Sequence, residues 1–154
     1  MNHTDPNALS ADAMRHQVEL LEQLGRELPP DQQVVFETRH YLNGGVYGRE
    51  LFIPAGSWLV GAEHAQDTLN VVIGDITVTT DTGVRRITGY QTLPSAAGTK
   101  RAGFAHADTF WITFARTDET DLEAIEDGLT PESDKLQTRQ VALPGFNTPV
   151  IGEN

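Results

Sequence analysis

Three histidines are the residues of this sequence with the clearest capacity for chemistry. His40, His64 and His106 are spread through the middle of the chain, and neutral imidazole is the commonest metal ligand among side chains. A divalent transition metal needs three or more converging ligands, so the rings form a metal site only if the fold brings them together. His40 has a second interpretation, as a packed histidine at the rim of a barrel. Cysteine is absent, which excludes thiolate metal sites, disulfides and cysteine nucleophiles.

Arg101 is the candidate for binding an anion. It lies in one of two basic pairs, Arg85-Arg86 and Lys100-Arg101, and an inward-pointing guanidinium could hold a carboxylate or a phosphate. An outward-pointing Arg101 would be an ordinary ion-pair partner in an acidic chain, and we favour this interpretation. The tryptophans Trp58 and Trp111 predict core or interface anchors. There is no Gly-x-Gly-x-x-Gly, P-loop or Gly-x-Ser-x-Gly motif, so nucleotide binding and serine hydrolysis have no support.

Charge and hydropathy exclude two classes of partner. The 154-residue chain carries 22 acidic and 11 basic residues, for a formal net charge of −11, and such a surface repels nucleic acid. It contains no apolar run near the ~18 residues of a membrane span. The N-terminus lacks a basic head followed by an apolar stretch, so we expect cytoplasmic synthesis without a signal peptide. The eight carboxylates between Asp118 and Asp134 predict a solvated helix face or, alternatively, a docking surface for a basic partner.

An amphipathic helix is predicted in the N-terminal segment, residues 1–33. Asp5-Pro6 or Ser10 could start it, and Pro29-Pro30 ends it. Its apolar face comprises Met14, Val18, Leu21 and Leu28. Because an isolated helix of this length is marginal in water, we expect it to lie on the rest of the chain or on a neighbouring subunit. Leu21 and Leu28 are therefore predicted assembly anchors.

The segment 34–117 changes to the period of β-structure. Leu69, Val71 and Ile73 alternate with their neighbours, as do Phe110, Ile112 and Phe114, which is typical of antiparallel strands that bury one face. About eight short strands are separated by turn signals at Asn43-Gly44, Gly74-Asp75 and Asp81-Thr82-Gly83. This spacing predicts a β-sandwich or a closed barrel.

Helical signals return in the last segment, 118–154. Thr120 and Glu123 predict a capping box, and Gly128 is expected to close that short acidic helix. From Val141 onward the sequence predicts an extended arm, in which Phe146 is another predicted assembly anchor. With the N-terminal segment and the barrel, this makes one globular domain overall.

Three stretches of the sequence resemble the cupin-like (RmlC-like jelly-roll) proteins. They are "VYGRELFIPAGSWLVGAEH", "LNVVIGDITVTTDTGVRRI" and "PSAAGTKRAGFAHADTFWITFARTDETDLEAIE". More narrowly, they resemble small cupin-like proteins encoded by tailed bacteriophages. The resemblance covers about residues 34–127. It implies an antiparallel jelly-roll barrel, mostly β, flanked here by the N-terminal helix, the short C-terminal helix and the extended arm.

The resemblance also implies where a metal site would lie. In the family's first block, His64 corresponds to the second histidine, and Ala62 stands where the first belongs. Asp67 is the carboxylate nearest the family's glutamate. In the second block, Arg101 stands in the place of the histidine, and a permanent cation there opposes metal binding. His106 could replace it only after a shift in strand register, and His40 would be a further ligand.

Two functions follow from these residues. The favoured hypothesis is a non-catalytic structural or binding protein without a cofactor. The resemblance implies a homo-oligomer that contacts other virion proteins, as a capsid decoration or tail-associated subunit located in the virion and made in the host cytoplasm. The alternative is a cytoplasmic, metal-dependent cupin enzyme of the dioxygenase or sugar isomerase class. It would hold one divalent transition metal with His64 and His106.

Overall fold

The computed structural model describes residues 9–140 and 150–151, and for the last two only their backbone. The helices are α1 (Ala11–Glu27), α2 (Leu122–Leu129) and α3 (Gln137–Gln140), with 3-10 turns at Pro30–Gln32 and Ser133–Lys135. The strands are β1 (Glu37–Asn43), β2 (Val46–Ile53), β3 (Trp58–Val60), β4 (Thr68–Thr80), β5 (Gly83–Ser95), β6 (Ala102–Ala105), β7 (Thr109–Arg116) and β8 (Val150–Ile151). The predicted class, mostly β with a helix before the strands and short helices after them, is confirmed.

These eight strands form one curled sheet. Their order is β3-β6-β4-β7-β2-β1-β8, with β5 paired to β4. All pairs are antiparallel except β1 with β8. The long strand β4 pairs with β5 along its whole length, while its other edge pairs first with β7 and then with β6. The hairpin turn predicted at Gly74-Asp75 is therefore wrong, because the chain runs straight through it.

Gly74 serves a close strand contact instead of a turn. Its φ is +147°, and a Cβ atom there would lie 2.7 Å from the Cα of Thr109 and 2.8 Å from the carbonyl oxygen of Asp108. Only glycine lets β7 begin so close to β4. The turns predicted at Asn43-Gly44 and at Asp81-Thr82 are confirmed, since they connect β1 to β2 and β4 to β5.

The inner face of the sheet carries two apolar clusters. One contains Ile53, Val72, Ile76, Val78, Ile87 and Ala105. The other contains Leu42, Tyr47, Ala115, Ile125 and Leu129, and α2 supplies the last two. Burial of these side chains is the main favourable contribution to folding. The inward-facing residues between the two clusters are polar, and they form the candidate site described below.

Helix α1 begins at Ser10, whose hydroxyl accepts a hydrogen bond from the Ala13 amide, so the second of the two predicted starts is confirmed. The helix packs on β3, β4 and β6. Met14 and Val18 are buried, but Leu21 and Leu28 are 38% and 43% exposed. The role of Leu21 and Leu28 as assembly anchors stays a prediction. One turn after Val18, the next position toward the sheet is taken by Glu22. Its carboxylate lies 2.9 Å from the buried ammonium of Lys100.

The C-terminal segment corrects three predictions. Asp121, and not Thr120, caps α2, because its carboxylate accepts from the Ala124 amide at 3.1 Å. The helix continues past Gly128 and ends at Leu129. The residues directly before the predicted arm form α3, and two residues of the arm pair with β1 as β8. The rest of the arm, including Phe146, lies outside the described residues. Within the described part of the chain, no helix is long and apolar enough to cross a membrane.

Candidate functional site

A row of polar side chains crosses the inner face of four adjacent strands. His40 on β1 is opposite Arg49 on β2, Arg49 is opposite Thr113 on β7, and Thr113 is opposite Asn70 on β4. Directly opposite residues share a face of an antiparallel pair, so the register alone aligns these four side chains. His40, Asn70 and Thr113 are buried, and the Arg49 side chain is 11% exposed. We call this row and the polar groups bound to it the polar layer.

Asn70 holds one end of the polar layer together. Its amide nitrogen donates to the Leu93 carbonyl at 3.2 Å and to the Ser95 hydroxyl at 2.9 Å. Its amide oxygen accepts from Trp111 Nε1 at 3.1 Å and from the Thr113 hydroxyl at 2.9 Å. This buried amide therefore donates two hydrogen bonds and accepts two, so that all its polar atoms have partners, as is usual for buried polar side chains.

Glu126 closes the other end of the polar layer. It lies on α2, is only 2% exposed, and its Oε1 accepts from Arg49 at 3.1 Å and from the Thr138 hydroxyl at 2.8 Å. Its Oε2 accepts from Arg139 Nε at 3.0 Å. A buried carboxylate is tolerated when its charge is paired and its oxygens are bonded. Glu126 is therefore an internal partner for two arginines, which ties α2 and α3 to the middle of the sheet.

His40 is a neutral histidine between these groups. Its Nδ1 lies 2.7 Å from the Tyr47 hydroxyl. Burial is the largest cause that lowers the pKa of His40 to about 4, and the charge of Arg49 lowers it further. Burial likewise raises the pKa of Tyr47 to about 12. The Tyr47 hydroxyl therefore stays protonated and can donate to Nδ1, which leaves the ring proton of His40 on Nε2. This Nε2 is buried and has no hydrogen-bond partner among residues 9–140.

His64 and Arg101 lie at the side of the polar layer. His64 Nδ1 is 3.0 Å from the Thr68 hydroxyl, and its pKa is lowered first by burial and then by the charges of Arg101 and Arg49. Arg101 donates to the Ser95 hydroxyl at 2.9 Å, and burial lowers its pKa. The outward orientation favoured for Arg101 is thus wrong. Within residues 9–140 its guanidinium has no carboxylate at salt-bridge distance.

Comparison with known proteins yields structures only. No protein-family model matches the sequence, and no curated protein matches it. One matching structure is a cupin superfamily protein from Desulfitobacterium hafniense, with a TM-score of 0.47 and 14% identity over 59% of this chain and 95% of that chain. Another is KdgF from Halomonas sp., with a TM-score of 0.48 and 15% identity over 59% and 88% of the two chains. A third is the DMSP lyase DddQ from Ruegeria pomeroyi, with a TM-score of 0.49 and 18% identity over 61% and 53%.

All three structures have TM-scores below 0.5 and at most 18% identity with this chain. Likeness at this level of identity concerns the fold alone, and what those proteins act on is a property of those proteins. The narrower resemblance to proteins of tailed bacteriophages stays a prediction.

The residues predicted to hold a metal do not fit one. His106 is exposed on the outer face, where its Nε2 lies 2.7 Å from the Thr77 hydroxyl. Asp67 is exposed and accepts from the Ala97 amide. Only His40 and His64 face the polar layer. Across residues 9–140, no three histidine or carboxylate side chains are grouped so that they could hold a metal ion.

Electrostatics explains this misfit. Arg49 and Arg101 both act on His64, so the surroundings of the histidine predicted to be a metal ligand hold two permanent cations. A nearby guanidinium disfavours a divalent ion by repulsion. The one carboxylate of the polar layer, Glu126, is already bound by Arg49 and Arg139.

Two cavities lie beside the row of side chains. One of about 180 Å³ lies between the end of β7 and α2, and its lining includes Tyr47, Ala115 and Ile125. Another of about 170 Å³ lies between α1 and the loop before β6, and its lining includes Arg15 and Arg101. Neither is lined by His40, Arg49, Asn70 or His64. Neither of these two cavities therefore reaches the row itself, although Tyr47, the partner of His40, lines the first.

The remaining predicted residues divide between the two faces of the sheet. Trp111 is inward-facing, half-buried and bonded to Asn70, so of its two interpretations the structure favours the core. Trp58 is 64% exposed on the outer face and packs on Phe104, with ring centroids 4.9 Å apart. In the acidic segment, the solvated-face interpretation is wrong for Glu126 and for Glu132, because Glu132 pairs with Lys100 and Lys135.

Several residues of the polar layer escape sequence analysis. Asn70 and Thr113 lie at inward positions of alternating strands, where a polar residue is itself a signal of a buried network. For Arg49, the sequence predicts only that it and Glu50 face opposite sides of their strand. The structure confirms this, since Arg49 faces inward and Glu50 lies near Arg39 on the outer face. Glu126 gives no such signal, because it belongs to a run of acidic residues that are mostly exposed.

Proposed function

We propose that this chain is a non-catalytic, cupin-like structural or binding protein that works through contacts between its outer surface and other protein chains. The observation that carries the proposal is the closed polar layer. The inward histidines His40 and His64 are bonded to Tyr47 and Thr68 of the chain itself, and Arg49 is paired with Glu126.

Exposed apolar side chains on the outer surface also support the proposal. Several large apolar side chains are well exposed there, among them Tyr90 at 68% and Trp58 at 64%. Contiguous exposed apolar surface is typical of sites that bind other proteins. An acidic chain with a filled interior and such a surface is better suited to assembly than to turnover of a small molecule.

The finer form of the proposal is an accessory subunit of a tailed-phage virion, either a capsid decoration or a tail-associated protein. It rests on the sequence resemblance described above. It predicts that the protein co-purifies with particles of the phage whose genome encodes it, as detected by mass spectrometry of those particles. Absence from purified particles would leave the coarser function and remove the finer one.

The alternative, a metal-dependent dioxygenase or isomerase, requires that His64 and His106 share an ion. His64 faces the polar layer, whereas His106 is bonded to Thr77 on the other face of the sheet. We therefore derive no reaction through a metal for this chain.

Metal content measured by inductively coupled plasma mass spectrometry tests the proposal. The purified protein is incubated separately with Fe²⁺, Mn²⁺, Ni²⁺ or Zn²⁺ and then desalted. We expect substoichiometric metal, equal in the wild type and in His64→Ala. One ion per chain that is lost in His64→Ala but kept in His16→Ala, a histidine of α1, would establish the metal enzyme instead.

A further inference from the structure

The outer face of the sheet carries an ordered apolar surface. One row of directly opposite residues crosses β2, β7, β4 and β5 and consists of Phe52, Phe110, Ile73 and Tyr90. The rings of Phe52 and Phe110 are 5.2 Å apart. In the next row Ile112 is opposite Val71. We call these six side chains the outer apolar face.

A third row extends this surface. Phe114 is opposite Leu69 and lies over Gly48, where a Cβ would be 3.1 Å from the Phe114 ring. Aromatic cover of a strand glycine in this way stabilises a sheet and smooths its surface. The apolar surface is therefore continuous across β7 and β4, while on β2 the charged Glu50 lies opposite Ile112 in the second row.

No part of residues 9–140 covers the outer apolar face. Ile73 is 44% exposed and Phe110 is 38% exposed. Helix α1 lies on the same sheet but packs farther along, on β3, β6 and β4, where Met14 and Val18 are buried. One part of the outer side thus has its apolar cover within the chain, and the other part does not.

We infer that the outer apolar face is a two-fold interface that packs against the same face of a second copy of this chain. This inference deepens the proposed function by naming the partner and the surface. Two antiparallel sheets pack face to face with their strands about 30° apart, and a two-fold interface requires a surface that is complementary to itself. A continuous apolar sheet face meets both conditions.

The placement of the charges allows a second copy to approach at the outer apolar face. The chain has a net charge of −11, so two copies repel one another wherever carboxylates face each other. The six residues of the outer apolar face carry no charge, which makes this the surface where like-charged copies can approach. Ion pairs border it on two sides, Arg39 with Glu37 and Arg86 with Asp75. An apolar centre with a charged rim is the usual anatomy of a protein interface.

Sedimentation velocity over a wide concentration range tests the inference with two matched variants. Ile73→Lys places a charge in the middle of the outer apolar face. Leu24→Lys makes the same change on α1, where Leu24 is 61% exposed. We expect a wild-type dimer, an unchanged Leu24→Lys dimer, and a rise of at least about a hundredfold in the dissociation constant for Ile73→Lys, because an unpaired charge would be buried.

Three results would overturn the inference. They are a monomeric wild type at every concentration, a dimer that survives Ile73→Lys, and a dimer lost in Leu24→Lys but not in Ile73→Lys. If circular dichroism shows that Ile73→Lys does not fold, Tyr90→Lys replaces it, since that side chain is 68% exposed and contributes little to the core. A metal-free monomer would contradict the inferred dimer but not the proposed function. A dimer that holds one metal ion per chain would contradict the proposed function but not the dimer.

Discussion

The two faces of the sheet differ in whether the chain itself supplies partners for their side chains. On the inner face, polar groups that would otherwise need water or a ligand are bound by the chain itself, with Asn70 at one end and Glu126 at the other. On the outer face, apolar side chains such as Ile73 and Tyr90 stay in contact with solvent. Apart from Nε2 of His40, the polar groups described on the inner face are bound within one chain, whereas the outer face leaves apolar side chains exposed, and this difference underlies the proposal that partners bind the outer face.

This difference depends on the C-terminal helices. Helices α2 and α3 bring Glu126 and Arg139 to the middle of the sheet, and Leu129 and Ile125 complete the second apolar cluster. A matching cover for the outer apolar face is absent from residues 9–140. Four experiments test this difference between the two faces, and they are given in order of decreasing expected effect.

Removal of the Glu126 carboxylate should have the largest effect. Glu126→Ala leaves Arg49 and Arg139 as buried charges without this partner, so we expect the free energy of unfolding to fall by about 3–5 kcal/mol. Urea unfolding followed by circular dichroism measures the change. Asp118→Ala is the control, because the Asp118 side chain is 89% exposed and its loss should change stability by at most about 0.5 kcal/mol. Equal effects of the two changes would show that the polar layer is not closed by Glu126.

Acid should weaken the inner face through His40. Its pKa is lowered to about 4 in the folded chain, while an unfolded histidine has a pKa near 6.5, so between these values the unfolded chain binds more protons. The stability from neutral His40 is therefore fully present above about pH 6.5 and is lost as the pH falls toward 4. The loss is on the order of 3 kcal/mol.

Unfolding free energies measured from pH 7 to pH 4 test this expectation. His40→Gln should reduce the slope in that window, and His64, whose pKa is also lowered, should account for part of the remainder. Glu132, whose pKa is about 2, contributes at lower pH. Burial acts to raise that pKa, but the Glu63 amide, Lys100 and Lys135 together lower it. A slope that is the same in wild type and His40→Gln would contradict the assignment.

Gly74→Ala should have an intermediate effect, since it separates β4 from the start of β7 beside the outer apolar face. The added methyl group meets Thr109, and the positive φ is unfavourable for alanine, so we expect a loss of about 1–3 kcal/mol. Gly25→Ala is the matched control. Gly25 lies in α1 with open space around its Cα, and alanine there should raise helix stability by up to about 1 kcal/mol.

The smallest effect concerns the electrostatics of His64. Arg101→Met removes one of the two charges that lower the pKa of His64, so this pKa should rise while staying below its ordinary value, because burial is the larger cause. Titration of the histidine ring resonances by NMR measures it. Arg86→Met, a change to an exposed arginine on the outer face, should leave His64 unaffected. An equal shift in both variants would mean that Arg101 does not act at the polar layer.

Sequence analysis predicts the strands well because alternation directly reports which side chains are buried. Leu69, Val71 and Ile73 are correctly grouped on one face, although the structure shows that this face is the outer one. Gly74 is misread as a turn because glycine favours turns and close strand contacts alike. The periodicity of α1 does not reveal that Glu22, rather than Leu21, lies against the chain, because Glu22 pairs there with the buried Lys100.

The candidate site is far less predictable from the sequence. It depends on contacts between residues distant in the chain, such as Arg49 with Glu126. Motif spacing places Arg101 at a ligand position but does not say that its guanidinium turns inward to Ser95. The orientation of an arginine in an acidic chain is decided by packing that no local pattern records.

Native mass spectrometry of the purified protein at neutral pH tests the central claim most directly, because one mass reports both the number of chains and any bound ion. The account predicts a dimer whose mass is twice that of the bare polypeptide, and dissociation to monomers of the same bare mass in Ile73→Lys. A single chain carrying one transition-metal ion would contradict it.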